Sequence, residues 1–337
     1  MAVLGFANLS LLDVAKRLDP DGKAAAIAEV MTTNHEILDD IPFVEGNLPT
    51  GHKSTLRASI PTPTWRLLNQ GVTRVKTTTN QIVTTCGMME NYSDIDKDLA
   101  LLNGNTQAFR MQEDSGIIEG MSQSLATTLM YGDTDVNPER FVGLAPRYYT
   151  LAGSATSGNI INAAGAAALT SIWLVGWGPK KAFGIYPKGS KAGLDQQDLG
   201  EVTALDGNGN PYQAYRTHYQ HKVGLVVEDW RYVVRICNIN TTALLTAGDV
   251  NDTSANIIKL MSVAIDAIPT TGSARLVFYC NQIVRAMLRV KFMSRSNTWM
   301  TLENLQGPGG IMRPTLSFMG IPVRRVDEIT SAETAVA

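Results

Sequence analysis

Residues 48–91 restrict the fold of this chain more than any other stretch. Their composition shifts to Thr, Pro, Arg and Val, with Pro61 and Pro63 ahead of Trp65 and then the run Val72-Thr73-Arg74-Val75-Lys76-Thr77-Thr78-Thr79. The β-branched residues favour extended backbone. Alternation sets Val72, Arg74 and Lys76 on one side of a strand and Thr73, Val75 and Thr77 on the other, so neither face is apolar enough to found a core. The pattern predicts a long two-stranded ribbon projecting from a body. Alone in water such a ribbon is marginal.

The flanks read differently. Asp19-Pro20-Asp21-Gly22 is turn chemistry, residues 23–35 are good helix formers with Ala26, Ile27, Val30 and Met31 on one side, and Pro42 and Gly46 mark the end of that helix. A short helix on an otherwise extended amino-terminal arm is expected. Beyond the ribbon, residues 94–131 form the longest helical candidate, with Ile95, Leu99 and Leu102 followed by Ile117, Met121, Leu125 and Leu129 near helical spacing. Gly104 and Gly116 are the expected break or bend points, and residues 132–138 a loop. The remainder reads as many short elements: buried strands at 171–177 and 182–186, a hairpin turn at Gly207-Asn208-Gly209-Asn210, strands at 221–227 and 232–236, a helix at 254–268, a strand at 275–280 and a helix at 282–293. The fold class is α+β, with no internal repeat of fixed period.

Composition bounds what any motif can mean. At 337 residues and 44% hydrophobic content, the chain can bury about 75% of its unfolded surface and needs no staples. A formal net charge of −2 supplies no global field for nucleic acid or anionic membrane. Cys86, Cys237 and Cys280 are widely spaced and read as buried thiols of a reducing compartment. Residues 1–18 lack a basic leader segment, so no signal peptide is expected. The uncharged run 148–179 is studded with Ser, Thr, Asn and Gly, which favours a strand pair of a soluble, cytosolic protein over a membrane span.

No catalytic constellation emerges. His218 and His221 point to opposite faces of a strand, with no neighbouring Cys or His to complete a metal set. The loops at Asp133 and Asp206 carry proline at the sixth position, and Leu144 or Thr217 at the twelfth, where a calcium loop needs glycine and glutamate. Gly120-Met121-Ser122-Gln123-Ser124 lacks the second glycine of a nucleophile turn, and Gly176-Trp177-Gly178 lacks a phosphate-binding lysine. The acid pairs Asp39-Asp40 and Glu113-Asp114 read as surface charge. Lys180, Lys181, Lys188 and Lys191, and Arg285, Arg289, Lys291 and Arg295, read as solvated or subunit-facing charge with Asp195, Asp198, Glu201, Glu303 and Asp327 as partners. No enzyme, cofactor or metal is expected.

The order of arm, ribbon, long helix and α+β body resembles the Hong Kong 97-type fold of tailed-phage major capsid proteins. Leu129-Met130-Tyr131-Gly132-Asp133 with Phe141-Val142-Gly143-Leu144 resembles that family's exit from its spine helix. Phe278-Tyr279-Cys280-Asn281 resembles its strand-then-helix signature, and Gly320-Ile321-Pro322-Val323, with Asp327 five residues after the proline, resembles its returning P-domain strand. Residues 32–47 and the stretch near Trp65 look most similar to short-tailed phages of the epsilon15 type.

The resemblance implies an amino-terminal arm at 1–47, an E-loop ribbon at 48–93, a P-domain with spine helix at 94–140 and 316–337, and an A-domain at 141–315. It implies hexamers and pentamers tiling an icosahedral shell around double-stranded DNA, assembled in the host bacterial cytoplasm with a scaffolding protein, a portal and a cement or decoration protein, and no membrane. Trp65 is the expected anchor on a neighbouring subunit, with Arg66, Arg74 and Lys76 supplying charge-paired contacts; Gly104 and Gly116 are the expected bends of the spine helix. Gly320 permits a tight entry to a strand in which Pro322 suits an edge or first position, with Val323, Val326 and Ile329 beneath the long helix. An encapsulin-like compartment of the same fold is the alternative.

Overall fold

The nine residues of β6 (Leu169–Trp177) are all buried, and they organise the body. Side chains alternate across a strand. Ile172 and Leu174 accordingly enter one apolar cluster, while Trp173, Val175 and Trp177 enter another on the opposite face. Antiparallel neighbours flank β6 on both sides: β10 (Val233–Asn240) with Val234 opposite Leu174, and β11 (Arg275–Cys280) with Phe278 opposite Leu174. Both repeat the alternation. The computed structural model describes residues 35–101, 106–246, 256–293, 300–306 and 312–337.

One face of this sheet is covered by helices α5 (Ile257–Asp266), through Ile257, Met261 and Ala264, and α6 (Gln282–Met293), through Val284 and Leu288. The other face takes the end of the long helix α3 (Thr106–Tyr131), through Leu125, Leu129 and Met130, together with Ile37 of α1 (Glu36–Asp40) and the carboxy-terminal residues Val326, Ile329 and Val336. Because the central strands are buried on both faces, they read as nearly continuous apolar runs.

From β11 the sheet continues through β14 (Ile321–Arg325), which pairs in parallel, to β13 (Met312–Phe318) and β12 (Met300–Gln306). From β6 it passes to β7 (Ala182–Tyr186), β9 (Pro211–Val227) and β4 (Gly87–Asp96), with β8 (Leu194–Leu205) along the far side of β9. The hairpin expected at Gly207-Asn208-Gly209-Asn210 joins β8 to β9. Asp206 closes it by accepting the backbone N–H groups of Asn208 and Asn210 at 2.9 and 2.7 Å.

The long helix starts later than its apolar spacing predicts. Residues through Asp96 extend β4, which lies in register with β9 from Gly87 opposite Val223 to Asp96 opposite Ala214. A one-turn helix α2 (Lys97–Leu101) follows. Gly104 lies outside the described residues, and α3 runs unbroken through Gly116. At the far end, Gly132 donates to Thr128 O at 2.8 Å and Gly143 donates to Gly132 O at 2.7 Å. A Cβ at Gly132 would stand 2.4 Å from Phe141 O, and one at Gly143 2.5 Å from Thr128 O. That close approach is why glycine occupies both ends of the helix exit.

The β13–β14 hairpin turns on Met319 (φ +50°) and Gly320 (φ +79°), a pair of left-handed residues matching the twist of a two-residue hairpin. Gly320 is thus in the turn. Pro322 is the second residue of β14 and faces Ser317, and pairing with β11 begins only at Val323. The missing N–H of proline therefore falls ahead of the parallel ladder. Val326 and Ile329 pack with the long helix as expected, but Val323 does not. Strand alternation turns it to the opposite face, among Phe278 and Phe318.

Candidate assembly interface

The ribbon consists of β2 (Gly51–Ser59) and β3 (Thr78–Thr85), antiparallel in register from Gly51 opposite Thr85 to Ser59 opposite Thr78. It forms a separate two-stranded sheet. Only its root is fastened. Asn47 closes the base by donating to Lys53 O at 2.8 Å and accepting from Lys53 N at 2.7 Å. Ser54 donates to Glu228 at 2.7 Å, the His52 ring lies edge-on to Phe183 at 5.7 Å, and Cys86 N donates to Thr50 O at 3.0 Å. The last rung is a contact between the Ser59 and Thr78 hydroxyls at 2.7 Å.

Beyond that rung, residues 60–77 adopt no regular strand. The extended run expected at residues 72–79 begins pairing only at Thr78, because Pro61 and Pro63 remove the donors that would face it. Trp65 is fully exposed at 101%, and Leu68 at 93% and Ile60 at 81% nearly so. Leu67, Val72 and Val75 are exposed with them. A tight turn, with Gln70 N donating to Leu67 O at 3.2 Å and Asn69 at φ +68°, sets Leu67 and Leu68 at the tip. Arg66 folds back to donate to Gln70 O at 3.4 Å, while Arg74 and Lys76 stand exposed on the returning limb. The structure thus places Trp65, Arg66, Arg74 and Lys76 on one projecting tip. From residue 51 to 85 the ribbon carries Lys53, Arg57, Arg66, Arg74 and Lys76 and not a single acid.

The root of the amino-terminal arm is held in the opposite way, by buried charge. His35 lies 3.1 Å from Glu119 of α3 and 2.8 Å from Glu328. Glu36 accepts from Arg285 at 3.0 Å and from Arg325 N at 3.2 Å. Asp40 accepts from Arg275 at 2.5 Å and Tyr279 at 3.0 Å, with Arg324 at 3.2 Å. Burial raises the Asp40 carboxyl above the usual carboxylate range even though Arg324 and Arg275 pull it down. Reading Asp39-Asp40 and Glu113-Asp114 as surface charge is therefore half wrong. Asp40 is buried against three partners, and Asp114 is buried with the Tyr219 hydroxyl bonded to it. Their partners lie about a hundred or more residues away, so no local spacing signals them.

A third cluster binds the carboxy-terminal segment. Glu333 accepts from Arg235 at 2.9 Å and from the Tyr131 hydroxyl at 2.6 Å, and Ser171 also donates to it. Arg235 further donates to Tyr148 O at 2.8 Å and lies over the Trp173 ring at 5.0 Å. The Tyr131 phenol is pushed well above its usual range, first by burial and then by the Glu333 charge.

The other candidates fall into structural roles. His218 stacks on Tyr92 at 4.5 Å, while burial pushes His221 down. Among the described residues no group of three or more His, Cys, Asp or Glu is arranged to hold a metal. Lys191 pairs with Asp195 at 2.8 Å, and Lys181 lies over Tyr232 at 4.6 Å. Asp198 pairs with Arg110 and Glu201 with Lys97, each at 2.7 Å, so these acids serve the long-helix side rather than the lysine cluster. Lys291, Arg295 and Glu303 have side chains outside the described residues. No described helix is long and apolar enough to cross a membrane.

The family model for major capsid protein GP7 matches residues 19–337. The chain belongs to that family of major capsid proteins. A solved structure of bacteriophage epsilon15 is 36% identical, covers 100% of this chain and 99% of that one, and superposes with a TM-score of 0.76. The α+β architecture is the Hong Kong 97-type capsid fold, in its epsilon15 form. More distant matches are the bacteriophage JBD30 capsid, at 9% identity over 89% of this chain and 92% of that chain with a TM-score of 0.46, and the SrpI encapsulin of Synechococcus elongatus PCC 7942, at 11% over 68% and 96% with 0.42. No match was found among curated proteins. Among the described residues, the ribbon tip carries the most exposed large apolar side chain, Trp65.

Proposed function

We propose that copies of this capsid protein assemble, in the host bacterial cytoplasm, into hexamers and pentamers that close an icosahedral shell around double-stranded DNA. The observation that carries the reading is the fully exposed Trp65 at the ribbon tip. Aromatic anchors at the centre of an interface supply most of its binding energy. In this reading the ribbon of residues 51–85 lies over a neighbouring subunit with Trp65 as anchor, and Arg66, Arg74 and Lys76 pair with that neighbour's acids; residues 87–93, which the sequence reading of 48–93 assigned to the ribbon, belong to β4 of the body. The arm of residues 1–47 ties capsomers together from the charged root at His35, Glu36 and Asp40.

The long helix with residues 316–337, including the strand at Pro322 and Val323, forms the P-domain, and residues 141–315 the A-domain. Gly116, where a Cβ would meet nothing within 4 Å, is the point at which the spine helix bends during maturation; Gly104, the other expected bend, lies outside the described residues. A separate scaffolding protein, a portal and a cement or decoration protein complete the particle. The test is size-exclusion chromatography with electron microscopy on protein produced with its scaffold. Closed, megadalton, DNA-competent particles are the expected product. A compact monomer at every concentration, or shells that enclose a protein cargo in place of the scaffold and never take up DNA, would refute the reading.

A further inference from the structure

We propose that the groove between the first residues of β4, the end of α3 and the loop before Phe141 is the socket that receives Trp65 from a second copy of this chain; the proposal rests on the reading of the ribbon as a contact between copies. The groove has a volume of about 300 Å³ and an apolar lining that includes Met88, Met89, Leu125 and Phe141. Pockets that bury a compact ligand begin at about this volume. Met88 is 60% exposed, so this apolar side chain stands uncovered at the groove. Methionine adapts its shape to an aromatic ring and makes favourable sulfur contacts with it.

Two further observations select a second copy as the occupant. The first is charge. The ribbon has five basic residues and no acid, which leaves 24 Lys and Arg against 31 Asp and Glu in the rest of the chain. Glu90 and Glu139 line the groove with Arg140, Lys222 lies opposite Met88 in the β4–β9 ladder, and Asp133 and Asp135 lie on the loop that ends at Phe141. A basic tip thus meets an acidic rim around an apolar centre, the arrangement that steers and orients association.

The second is reach. The nine residues of β2 span about 30 Å, and the groove begins at Gly87, two positions past the base of the ribbon at Thr85. A tip held that far from the base by a paired ladder, irregular only between Arg57 and Ser59, does not fold back into its own socket. Donor and acceptor at opposite ends of one element make a head-to-tail contact, and such contacts close into rings when the rotation allows.

The experiment places p-benzoylphenylalanine at Trp65 in particles assembled from mixed isotopically light and heavy chains, with irradiation and mass spectrometry of the crosslinked peptides. The expected product joins position 65 of one copy to the peptide holding Met88 and Met89, or to that holding Phe141, of another. Crosslinks between copies that land on any other peptide overturn the socket and leave the ribbon reading standing. Intact particles with no crosslink between copies overturn both. A companion variant, Met88→Lys, alters an exposed side chain and should leave thermal unfolding of the monomer unchanged while lowering particle yield at least tenfold. Unchanged yield also overturns the socket.

Discussion

Strand β6 and the ribbon tip are both rich in large apolar residues, and each contains tryptophan, yet their fates are opposite. All nine residues of β6 are buried, and Trp173 is fully enclosed beneath Arg235. At the tip, Trp65, Leu67 and Leu68 are left in water. Apolar content does not separate the two, but context does. β6 lies between β10 and β11 with helices on both sides, whereas the tip extends from a two-stranded ladder that no third strand joins. In the proposed assembly, folding completes one region and association completes the other.

The sharpest way to break this contrast is to truncate both tryptophans. Trp173→Ala should cost about 3–5 kcal/mol and leave little folded protein. Trp65→Ala should change stability by less than about 0.5 kcal/mol while abolishing particles. Chemical denaturation paired with electron microscopy reads both. Loss of the folded monomer in Trp65→Ala would move that residue into the core.

Next in size is the buried ion pair behind β6. Glu333→Gln leaves the Arg235 charge without its counterion and should cost about 3 kcal/mol, since breaking one member of a buried pair exposes the full desolvation penalty of the other. A loss below about 1 kcal/mol in urea titration would show the carboxy-terminal segment to be loosely held.

A smaller effect concerns the thiols. Burial raises Cys237 to about 11 and Cys280 to about 12, from 9.0. With the folded value above the unfolded one, their contribution is complete below about pH 9 and is lost as pH rises toward the folded values. Iodoacetamide at pH 8 should therefore leave both unmodified in the folded protein and label them in urea. Rapid labelling of Cys280 without denaturant would contradict its place between the sheet and α6.

The smallest expected effect belongs to the histidines. Burial lowers the His221 value below 6.5, so its stabilising contribution is present above that pH and declines as the protein is acidified. His221→Ala should flatten the dependence of Tm on pH below 6.5, and neither it nor His218→Ala should change assembly or metal content. Stoichiometric metal released by either substitution would assign these residues a different role.

Much of this was legible in the chain itself. The ribbon, the hairpin at Gly207-Asn208-Gly209-Asn210 and the buried strands follow from alternation and turn chemistry, both of which act over a few residues, while the helix exit at Gly132 and Gly143 was legible only through the family resemblance. Errors arose where the deciding partner was remote. Residues 94–96 have helical spacing but extend β4 because β9 supplies a full ladder of partners. Val323 was expected beneath the long helix and faces away from it, since strand alternation is fixed by the register with β11.

Local sequence determined which segments would be strand, helix or projection, because propensity and periodicity are carried by adjacent residues. It also determined that the ribbon would be basic and free of acids. Only the tertiary structure decided that Asp40 would be buried beside Arg275 and Arg324 and the Glu333 carboxylate beside Arg235, and that a Met-lined groove would open at the opposite end of the ribbon from Trp65. Those outcomes depend on bringing together residues up to more than two hundred positions apart, and the energy of an ion pair or an apolar socket exists only once the chain has closed that distance.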